Sequence, residues 1–235
     1  MRSLFPFRKT LFILAIIFAG TILSCTKDHV GQVEDRKVSD EFKAYTIFDS
    51  ASYWVYKKET SSVNNIDTVR ITNVFKDRRF HIDQTEPNGF FYEAVEMYYK
   101  SSMTGITKGE ITAGSPVGNS TMNENYRLYF NSGRYFSIFI PKYPFSEVQL
   151  LGINEGNYTN VEKLSEFYIN NYKYTDVYHT YIKDYKDVSA TDPDTVYMDF
   201  YIAKNHGLIK YSIIKPNTGI NDVWSLQSFD LSQTD

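Results

Sequence analysis

Apolar and polar side chains alternate with a period of two from about Tyr45 onward, which is typical of β-strands that bury one face. In the clearest run, residues 195–203, the apolar residues at even positions are predicted to face inward. The inward set is Val196, Met198, Phe200 and Ile202. Tyr201 and Asp199 are predicted on the opposite face. The turn Asn205-His206-Gly207 leads into a second alternating run, so the pattern predicts a half-buried hairpin.

A second hairpin is predicted around Asn131-Ser132-Gly133, because apolar residues alternate on both sides of that turn. Near the C-terminus, the parity of the apolar residues changes between Leu226 and Phe229, which predicts a β-bulge. Further strands are predicted at residues 53–58, 69–75, 79–83, 90–99, 172–183 and 223–231.

Two segments lack the alternation and are predicted as loops. Residues 101–125 are rich in Gly, Ser, Thr and Asn, and residues 184–194 are acidic. Residues 146–151 and 161–168 fit either a helix or a strand, and the pattern leaves both open. No predicted helix is long enough to alternate with the strands as in βαβ units. The expected fold is therefore mainly β: an antiparallel meander forming a curved sheet or a partly open barrel, with few or no helices.

The N-terminus has the three parts of a bacterial export signal. Residues 1–9 contain Arg2, Arg8 and Lys9, and residues 10–23 form an apolar stretch. That stretch is shorter than the roughly 20 apolar residues that a membrane-spanning helix needs. We therefore predict that residues 1–24 are a signal peptide rather than a membrane-spanning helix.

The end of this segment, Ile22-Leu23-Ser24-Cys25, resembles the lipobox that the lipoprotein signal peptidase recognises. That resemblance implies cleavage between Ser24 and Cys25, with acyl chains attached at the cysteine. Cys25 is the single cysteine of the chain, so it cannot form an internal disulfide. Thr26 follows it, where inner-membrane retention would favour Asp, so we expect an outer-membrane lipoprotein, on either the periplasmic or the surface face.

The rest of the chain is expected to form a polar tether, residues 25–41, and a single antiparallel β domain, residues 42–235. Removal of residues 1–24 leaves 22 basic and 28 acidic residues. This acidic balance argues against nucleic acid as a partner and leaves the lipid anchor as the predicted contact with the membrane.

Residues 201–210, Tyr-Ile-Ala-Lys-Asn-His-Gly-Leu-Ile-Lys, resemble a strand–turn–strand motif that recurs in uncharacterised bacterial exported lipoproteins. The segment Tyr53-Trp-Val-Tyr56 and the strand near Trp224-Ser225-Leu226 often accompany it. The resemblance implies an exported antiparallel β domain, and it implies no activity.

The sequence contains no recognisable catalytic or metal-binding motif. The histidines, His29, His81, His179 and His206, do not share metal-ligand spacing. The aspartates of residues 184–194 lack the spacing of a calcium loop, although calcium binding there stays open. We therefore expect a protein that is not an enzyme and that requires neither a metal nor a cofactor.

Tyrosine is the one residue type in surplus, with 20 copies. Tyr172, Tyr174 and Tyr178 would lie on one strand face, where aromatic rings can stack on sugars. A half-buried strand face is the alternative explanation. The expected function is a β domain that binds an envelope protein or ligand. The alternatives are an open-barrel carrier for lipid or another hydrophobic ligand, and a glycan-binding accessory lipoprotein.

Overall fold

The computed structural model describes residues 33–61, 65–82, 84, 87–114, 124–139, 148–150, 157–184 and 195–233. Its elements belong to the compact unit formed by residues 35–235, except that the first strand begins one residue earlier. The signal peptide, Ser24 and Cys25 lie outside the described residues, as do residues 185–194 of the acidic loop.

The described residues form thirteen strands, one short α-helix and one 3₁₀ turn. The strands are β1 (Glu34–Arg36), β2 (Tyr53–Lys58), β3 (Ile66–His81), β4 (Phe90–Lys100), β5 (Ile106–Ala113), β6 (Glu124–Phe130), β7 (Tyr135–Phe139), β8 (Val148–Leu150), β9 (Asn157–Ile169), β10 (Tyr172–Asp184), β11 (Val196–Ala203), β12 (Gly207–Lys215) and β13 (Ile220–Asp230). The helix α1 spans Asp40–Thr46, and the 3₁₀ turn spans Pro216–Thr218.

The strands form one antiparallel sheet in the order β7-β6-β5-β4-β3-β2-β13-β12-β11-β10-β9-β8, with β1 paired to β4. The last strand, β13, pairs with the second strand, β2. The sheet curls until β7, at one edge, approaches β10 near the other edge, where the rings of Phe139 and Tyr178 lie 4.8 Å apart. The sheet is therefore nearly closed into a barrel, which confirms the predicted fold class.

Helix α1 packs where the curled sheet approaches itself. The Ser39 side chain caps its N-terminus by accepting a hydrogen bond from the Phe42 backbone N–H. The negative charges of Asp40 and Glu41 in the first turn interact favourably with the positive end of the helix dipole. Phe42 stacks on Phe139 at 4.9 Å, and Tyr45 contacts Phe139 and Tyr178 at 5.3 Å each. A seven-residue helix is marginal alone, so this packing stabilises it.

The alternation in β11 and β12 follows the predicted pattern. Val196, Met198, Phe200 and Ile202 are all fully buried, and Asp199 and Tyr201 lie on the other face of the sheet. The predicted bulge in β13 is also present, between Leu226 and Ser228. These strands sit in the middle of the sheet, where every inward side chain packs against the core.

Two parts of the strand prediction were wrong. Residues 106–113, which were assigned to a loop, form β5, because Ile106, Ile111 and Ala113 bury their side chains while Thr107 is exposed and Lys108 is partly exposed. Residues 69–75 and 79–83 were predicted as separate strands, whereas β3 continues from Ile66 to His81 through a register shift near Ile71. Residues 161–168 belong to β9 and residues 148–150 form β8, so the described parts of both ambiguous segments are strands.

The packed part of the chain also begins before residue 42, where the predicted tether ends. Val38 is only 2% exposed, and its backbone N–H donates to Glu93 Oε2 at 3.0 Å. The Ser39 hydroxyl donates to Glu124 Oε2 at 3.0 Å. These contacts shorten the segment that can act as a tether, because residues 35–39 are held against β4 and β6.

Candidate functional site

Four aromatic rings meet at the end of the sheet where β10 begins and β13 ends. Tyr172 lies 4.7 Å from Tyr174, His206 lies 5.2 Å from Tyr174, and Phe229 lies 5.0 Å from His206. Tyr172 is 51% exposed and Phe229 is 37% exposed, whereas Tyr174 is buried beneath them. We call Tyr172, Tyr174, His206 and Phe229 the ring platform.

Two tight turns hold the platform in place. The β9–β10 turn contains Asn170 and Asn171 with φ of 48° and 67°, the conformation that a two-residue hairpin turn requires. The β11–β12 turn contains Asn205 with φ of 61°. All three asparagines are exposed, so amide groups, which both donate and accept hydrogen bonds, border the rings.

His206 is fixed from below. The Trp54 indole N–H donates to the His206 carbonyl at 2.7 Å. Gly207 has φ of 70°, and a Cβ there would come within 3.0 Å of the Phe48 ring and 3.3 Å of the Trp54 ring. Glycine is therefore required at this position both for the turn and for the close approach of the two aromatic residues.

Phe229 reaches the platform because of the β13 bulge. Leu226 faces the core opposite Tyr56, and the extra residue in the bulge brings Phe229 opposite Trp54, on the same face as the core. Since Phe229 lies near the end of the strand, its ring is only partly covered. The bulge thus places Phe229 on the core face of the sheet, and its position near the strand end leaves the ring partly exposed.

Burial raises the pKa of Tyr174 to about 12, with the nearby Tyr172 adding to the effect. Tyr174 therefore stays a neutral phenol at physiological pH and serves as a support for the outer rings. The exposed rings of Tyr172 and Phe229 offer apolar faces with polar edges around them, which suits a ligand that has both C–H faces and hydroxyl groups.

Tyr178, which the sequence placed beside Tyr172 and Tyr174, has a different environment. It is half-buried, its ring packs against Tyr45 and Phe139, and the Lys163 ammonium lies 5.3 Å above it. Asp176, between Tyr174 and Tyr178, adopts φ of 51° and interrupts the regular alternation. Tyr178 therefore packs with the residues that close the sheet, and it is not part of the ring platform.

The barrel interior is filled over the described residues. The cavity between α1 and the sheet, lined by aromatic residues such as Trp54, Tyr56 and Tyr126, has a volume of about 20 Å³, roughly the space of one water molecule. Tyr56 donates its hydroxyl to the Leu208 carbonyl at 2.6 Å, and Tyr99 and Tyr126 share a hydrogen bond of 3.0 Å. The polar tips of these rings are thus satisfied within the protein.

A second polar cluster lies on the outer face of the sheet, around His179. Its Nδ1 lies 2.7 Å from Glu162 Oε1, and its Nε2 lies 2.8 Å from Asp199 Oδ1. The imidazole stacks on Tyr201 at 4.3 Å, and Tyr201 stacks on Phe167 at 4.4 Å. The two carboxylates flank the ring from opposite sides, so the three groups do not converge on one point where a metal or substrate atom could sit.

Burial alone would lower the pKa of His179, but the hydrogen bonds and charges of Asp199 and Glu162 outweigh it and raise this pKa. Only the imidazolium can donate to both carboxylates at once. Because the folded-state pKa is raised, the stabilisation is complete below the unfolded value of about 6.5 and is lost as pH rises through the folded value.

We expect His179→Gln to lower the free energy of unfolding by about 1–2 kcal/mol at pH 6, since charged hydrogen bonds are lost. The difference from the wild type should shrink as pH rises above about 6.5 and passes the raised pKa of His179. Urea denaturation between pH 6 and pH 9 measures it. In Glu162→Gln the pKa of His179, followed by NMR, should fall. A constant stability difference across this range would rule out the imidazolium bridge.

The other sequence-derived candidates contribute no site within the described residues. No group of three or more His, Cys, Asp or Glu side chains there could hold a metal ion. The predicted lipidation position, Cys25, lies outside those residues. So does the acidic loop considered for calcium, except for its first residue, Asp184, which ends strand β10. In the same described part of the chain, no helix has the length and apolar character needed to cross a bilayer.

Sequence reasoning found Tyr172 and Tyr174 but missed His206 and Phe229 as their partners. The three segments are far apart in the chain, and only the pairing of β10, β11, β12 and β13 brings them together. The predicted bulge in β13 was the available signal for Phe229, because it shifts the face on which that ring lies.

Comparison with known proteins gives only remote likenesses. No protein-family model matches the chain, and no curated protein matches it at a significant level. A candidate exported protein with a YmcC-like fold from Bacteroides fragilis aligns with 79% of this chain and 98% of its own, at 7% identity and a TM-score of 0.39. A candidate lipoprotein from Parabacteroides distasonis aligns with 79% of this chain and 97% of its own, at 9% identity and a TM-score of 0.35. Neither likeness is close enough to inform the site.

Proposed function

We propose that this chain is a lipid-anchored protein of the bacterial outer membrane whose β domain binds an envelope ligand through the ring platform. The observation that carries the binding proposal is the pair of exposed rings, Tyr172 and Phe229, held in place over buried Tyr174. Large aromatic side chains in that position bury apolar area when a ligand covers them.

A glycan is the ligand class that this arrangement favours. The C–H faces of sugar rings can stack on Tyr172 and Phe229, while the amides of Asn170, Asn171 and Asn205 can hydrogen-bond to hydroxyl groups. The turns that carry these groups are short and well defined, so little conformational entropy would be lost when a ligand binds.

The anchor part of the proposal rests on the sequence at Ile22-Leu23-Ser24-Cys25 and on the single cysteine. Several acyl chains at Cys25, each contributing about 0.8 kcal/mol per buried methylene, would hold the protein to the membrane almost permanently. The intact mass of the chain extracted from membranes tests this part: acyl chains on a chain that begins at Cys25 support it, and an unmodified cysteine contradicts it.

The filled interior argues against the alternative of a lipid or hydrophobic-ligand carrier. Ligand pockets for small molecules usually enclose about 300–1,000 Å³. The cavity inside the described part of the barrel is far smaller, about 20 Å³, and hydrogen-bonded tyrosines line it. A ligand is therefore better accommodated on the surface than inside.

We expect Tyr172→Ala and Phe229→Ala each to weaken binding to envelope polysaccharide by about fivefold to tenfold, since one stacked ring contributes roughly 1 kcal/mol. Tyr168→Ala is the matched control, because Tyr168 is 57% exposed on the neighbouring strand and its ring is not one of the platform's four. Affinity chromatography on immobilised polysaccharide measures retention. Equal retention of all variants and the wild type would contradict the proposed site, and absence of retention of the wild type would favour an envelope protein as partner.

A further inference from the structure

The hairpin of β3 and β4 extends beyond β2 and β5, and β1 pairs with its β4 strand. β2 pairs only with residues Ile66–Arg70 of β3, and β5 pairs only with residues Ala94–Tyr98 of β4. The rest of the hairpin forms an arm, which we define as residues 73–82 and 90–93. It lies at the same end of the strands as the ring platform, because β3 ends where β2 begins.

The arm carries three large apolar side chains that are about half exposed or more: Phe75 at 53%, Phe80 at 50% and Ile82 at 59%. Phe80 is held in place, because its ring lies 4.9 Å from Phe91 and covers Gly89, where a Cβ would come within 2.3 Å of the ring. Phe80 lies near the end of β3 and Ile82 follows the strand on the same face, whereas Phe75 is five residues from Phe80 and lies on the other face of the hairpin. An exposed apolar surface of this kind indicates a contact partner.

The charges and the edge of the arm restrict what this partner can be. Arg78 already bonds to Asp35 at 3.2 Å, and Arg79 already bonds to Glu96 and Glu110 at 2.8 and 2.7 Å. Both arginines of the arm are thus paired within the chain, which leaves the exposed Lys76 and the apolar side chains to make the contact.

A partner strand is also disfavoured at the open edge of β3. The side chains of Asn73 and Asp77 accept hydrogen bonds from the backbone N–H groups of Val74 and Arg78, at 3.0 and 2.8 Å. These are donors that an added strand would need. A lipid surface requires no such donors, so the arm fits a membrane better than a protein strand.

The chain enters the domain at this arm. Besides the bond between Asp35 and Arg78, Arg36 lies 3.6 Å above the Phe90 ring of the arm. Cys25 precedes Asp35 by ten residues, which can span at most about 33–36 Å when fully extended. An anchor at Cys25 therefore keeps the arm close to the bilayer.

We propose that the arm docks on the membrane that holds the anchor, with Phe80 and Ile82 inserted among the lipid headgroups. The proposal rests on the lipid anchor of the proposed function. It gives the domain a fixed orientation, in which a ligand on the ring platform is bound at the end of the sheet that faces the anchoring membrane.

Fluorescence quenching in vesicles tests this contact. The full chain, expressed with its own N-terminus, carries Phe80→Trp or the control Ile220→Trp, whose side chain is 41% exposed at the opposite end of the sheet. Each protein is reconstituted into phosphatidylethanolamine–phosphatidylglycerol vesicles with or without brominated acyl chains. The two native tryptophans, Trp54 and Trp224, are buried, and the emission of the unsubstituted protein is subtracted as background.

We expect the emission of Phe80→Trp to shift to the blue and to be quenched by the brominated lipid, while Ile220→Trp is unaffected. If Phe80→Trp fails to fold, Ile82→Trp replaces it at a more exposed position. Equal quenching at both ends, or none at the arm in a protein that floats with the vesicles, would overturn the proposal.

The anchor is checked separately in the same samples by flotation and intact mass. If Cys25 proves to be unmodified, the anchor fails on its own account. The single cysteine can then be coupled to a maleimide phospholipid in the same vesicles. The quenching pattern of that coupled protein decides whether the arm docks when the N-terminus is held at the membrane.

Discussion

Replacement of Phe200 by alanine should lower the free energy of unfolding by about 3–5 kcal/mol. Phe200 is completely buried in β11, a central strand. Its ring lies 6.3 Å from the Tyr211 ring, which in turn lies 6.5 Å from the Trp224 ring, so the three rings form a row. Removal of the ring deletes buried area and leaves a cavity that the surrounding strands cannot collapse to fill. A loss of that size is a large share of the roughly 5–15 kcal/mol that stabilises a typical domain.

Tyr201 provides the comparison, because it is the next residue and faces outward. Alternation alone predicts a cost near 1 kcal/mol for Tyr201→Ala, on a face open to water. The structure raises this expectation to about 2 kcal/mol, because Tyr201 is stacked between His179 and Phe167. Tyr201→Phe, which keeps the stack, should be close to neutral. Urea denaturation measures all three, and an equal loss for Phe200→Ala and Tyr201→Ala would contradict the assignment of Phe200 to the core.

Replacement of Asp67 by alanine should also be severe, at about 3–5 kcal/mol, because a buried group that satisfies several donors is removed. Asp67 is 1% exposed at the start of β3 and organises the loop between β4 and β5. Its two carboxylate oxygens accept five hydrogen bonds of 2.6–3.1 Å. The donors are the Ser101 hydroxyl, the Ser102 hydroxyl and the backbone N–H groups of Ser102, Met103 and Thr104.

The pH dependence separates the charge of Asp67 from its packing. Burial opposes ionisation, but the hydrogen bonds outweigh it and hold the pKa of Asp67 well below its usual range. The carboxylate therefore stabilises the fold above the unfolded value of about 3.9, and this contribution is lost as pH falls toward the depressed folded value. The deficit of Asp67→Asn relative to the wild type should be constant from pH 7 to about pH 4 and should shrink below it.

Asp77→Ala is the matched control for Asp67→Ala on the same strand. The Asp77 side chain is 62% exposed, so its removal should cost no more than about 1 kcal/mol even though an ion pair with Arg79 is lost. Chemical denaturation at pH 7 compares the two variants. A small effect of Asp67→Ala would show that the loop between β4 and β5 does not depend on this carboxylate.

The sequence pattern predicts central strands well because their period-two signal is uninterrupted. In β11 and β12 each inward position is a large apolar residue, and the assignment needs no knowledge of the neighbouring strands. β5 was missed because a glycine interrupts its apolar inward face: Gly109 makes room for the rings of Tyr126 and Tyr99, and a Cβ there would lie 2.8 Å from Tyr126. That requirement arises from rings on the neighbouring strands β4 and β6, which the pattern within β5 does not reveal.

The helix and half of the candidate site could not be predicted for a related reason. Helix α1 has seven residues and no repeated apolar period, and Phe42 and Tyr45 are inward only because the curled sheet leaves a space that they fill. In the ring platform, adjacency along β10 revealed Tyr172 and Tyr174, whereas His206 and Phe229 join them through pairings between distant segments.

The central claim is that the ligand binds on the ring platform and not inside the barrel. The most direct test is an aromatic NMR spectrum of the protein, with labelled Tyr and Phe, titrated with soluble fragments of envelope polysaccharide. The account predicts that the ring signals of Tyr172 and Phe229 shift with saturation, while those of the interior residues Tyr56 and Tyr126 stay unchanged. Shifts confined to Tyr56 and Tyr126, with Tyr172 and Phe229 unaffected, would contradict it.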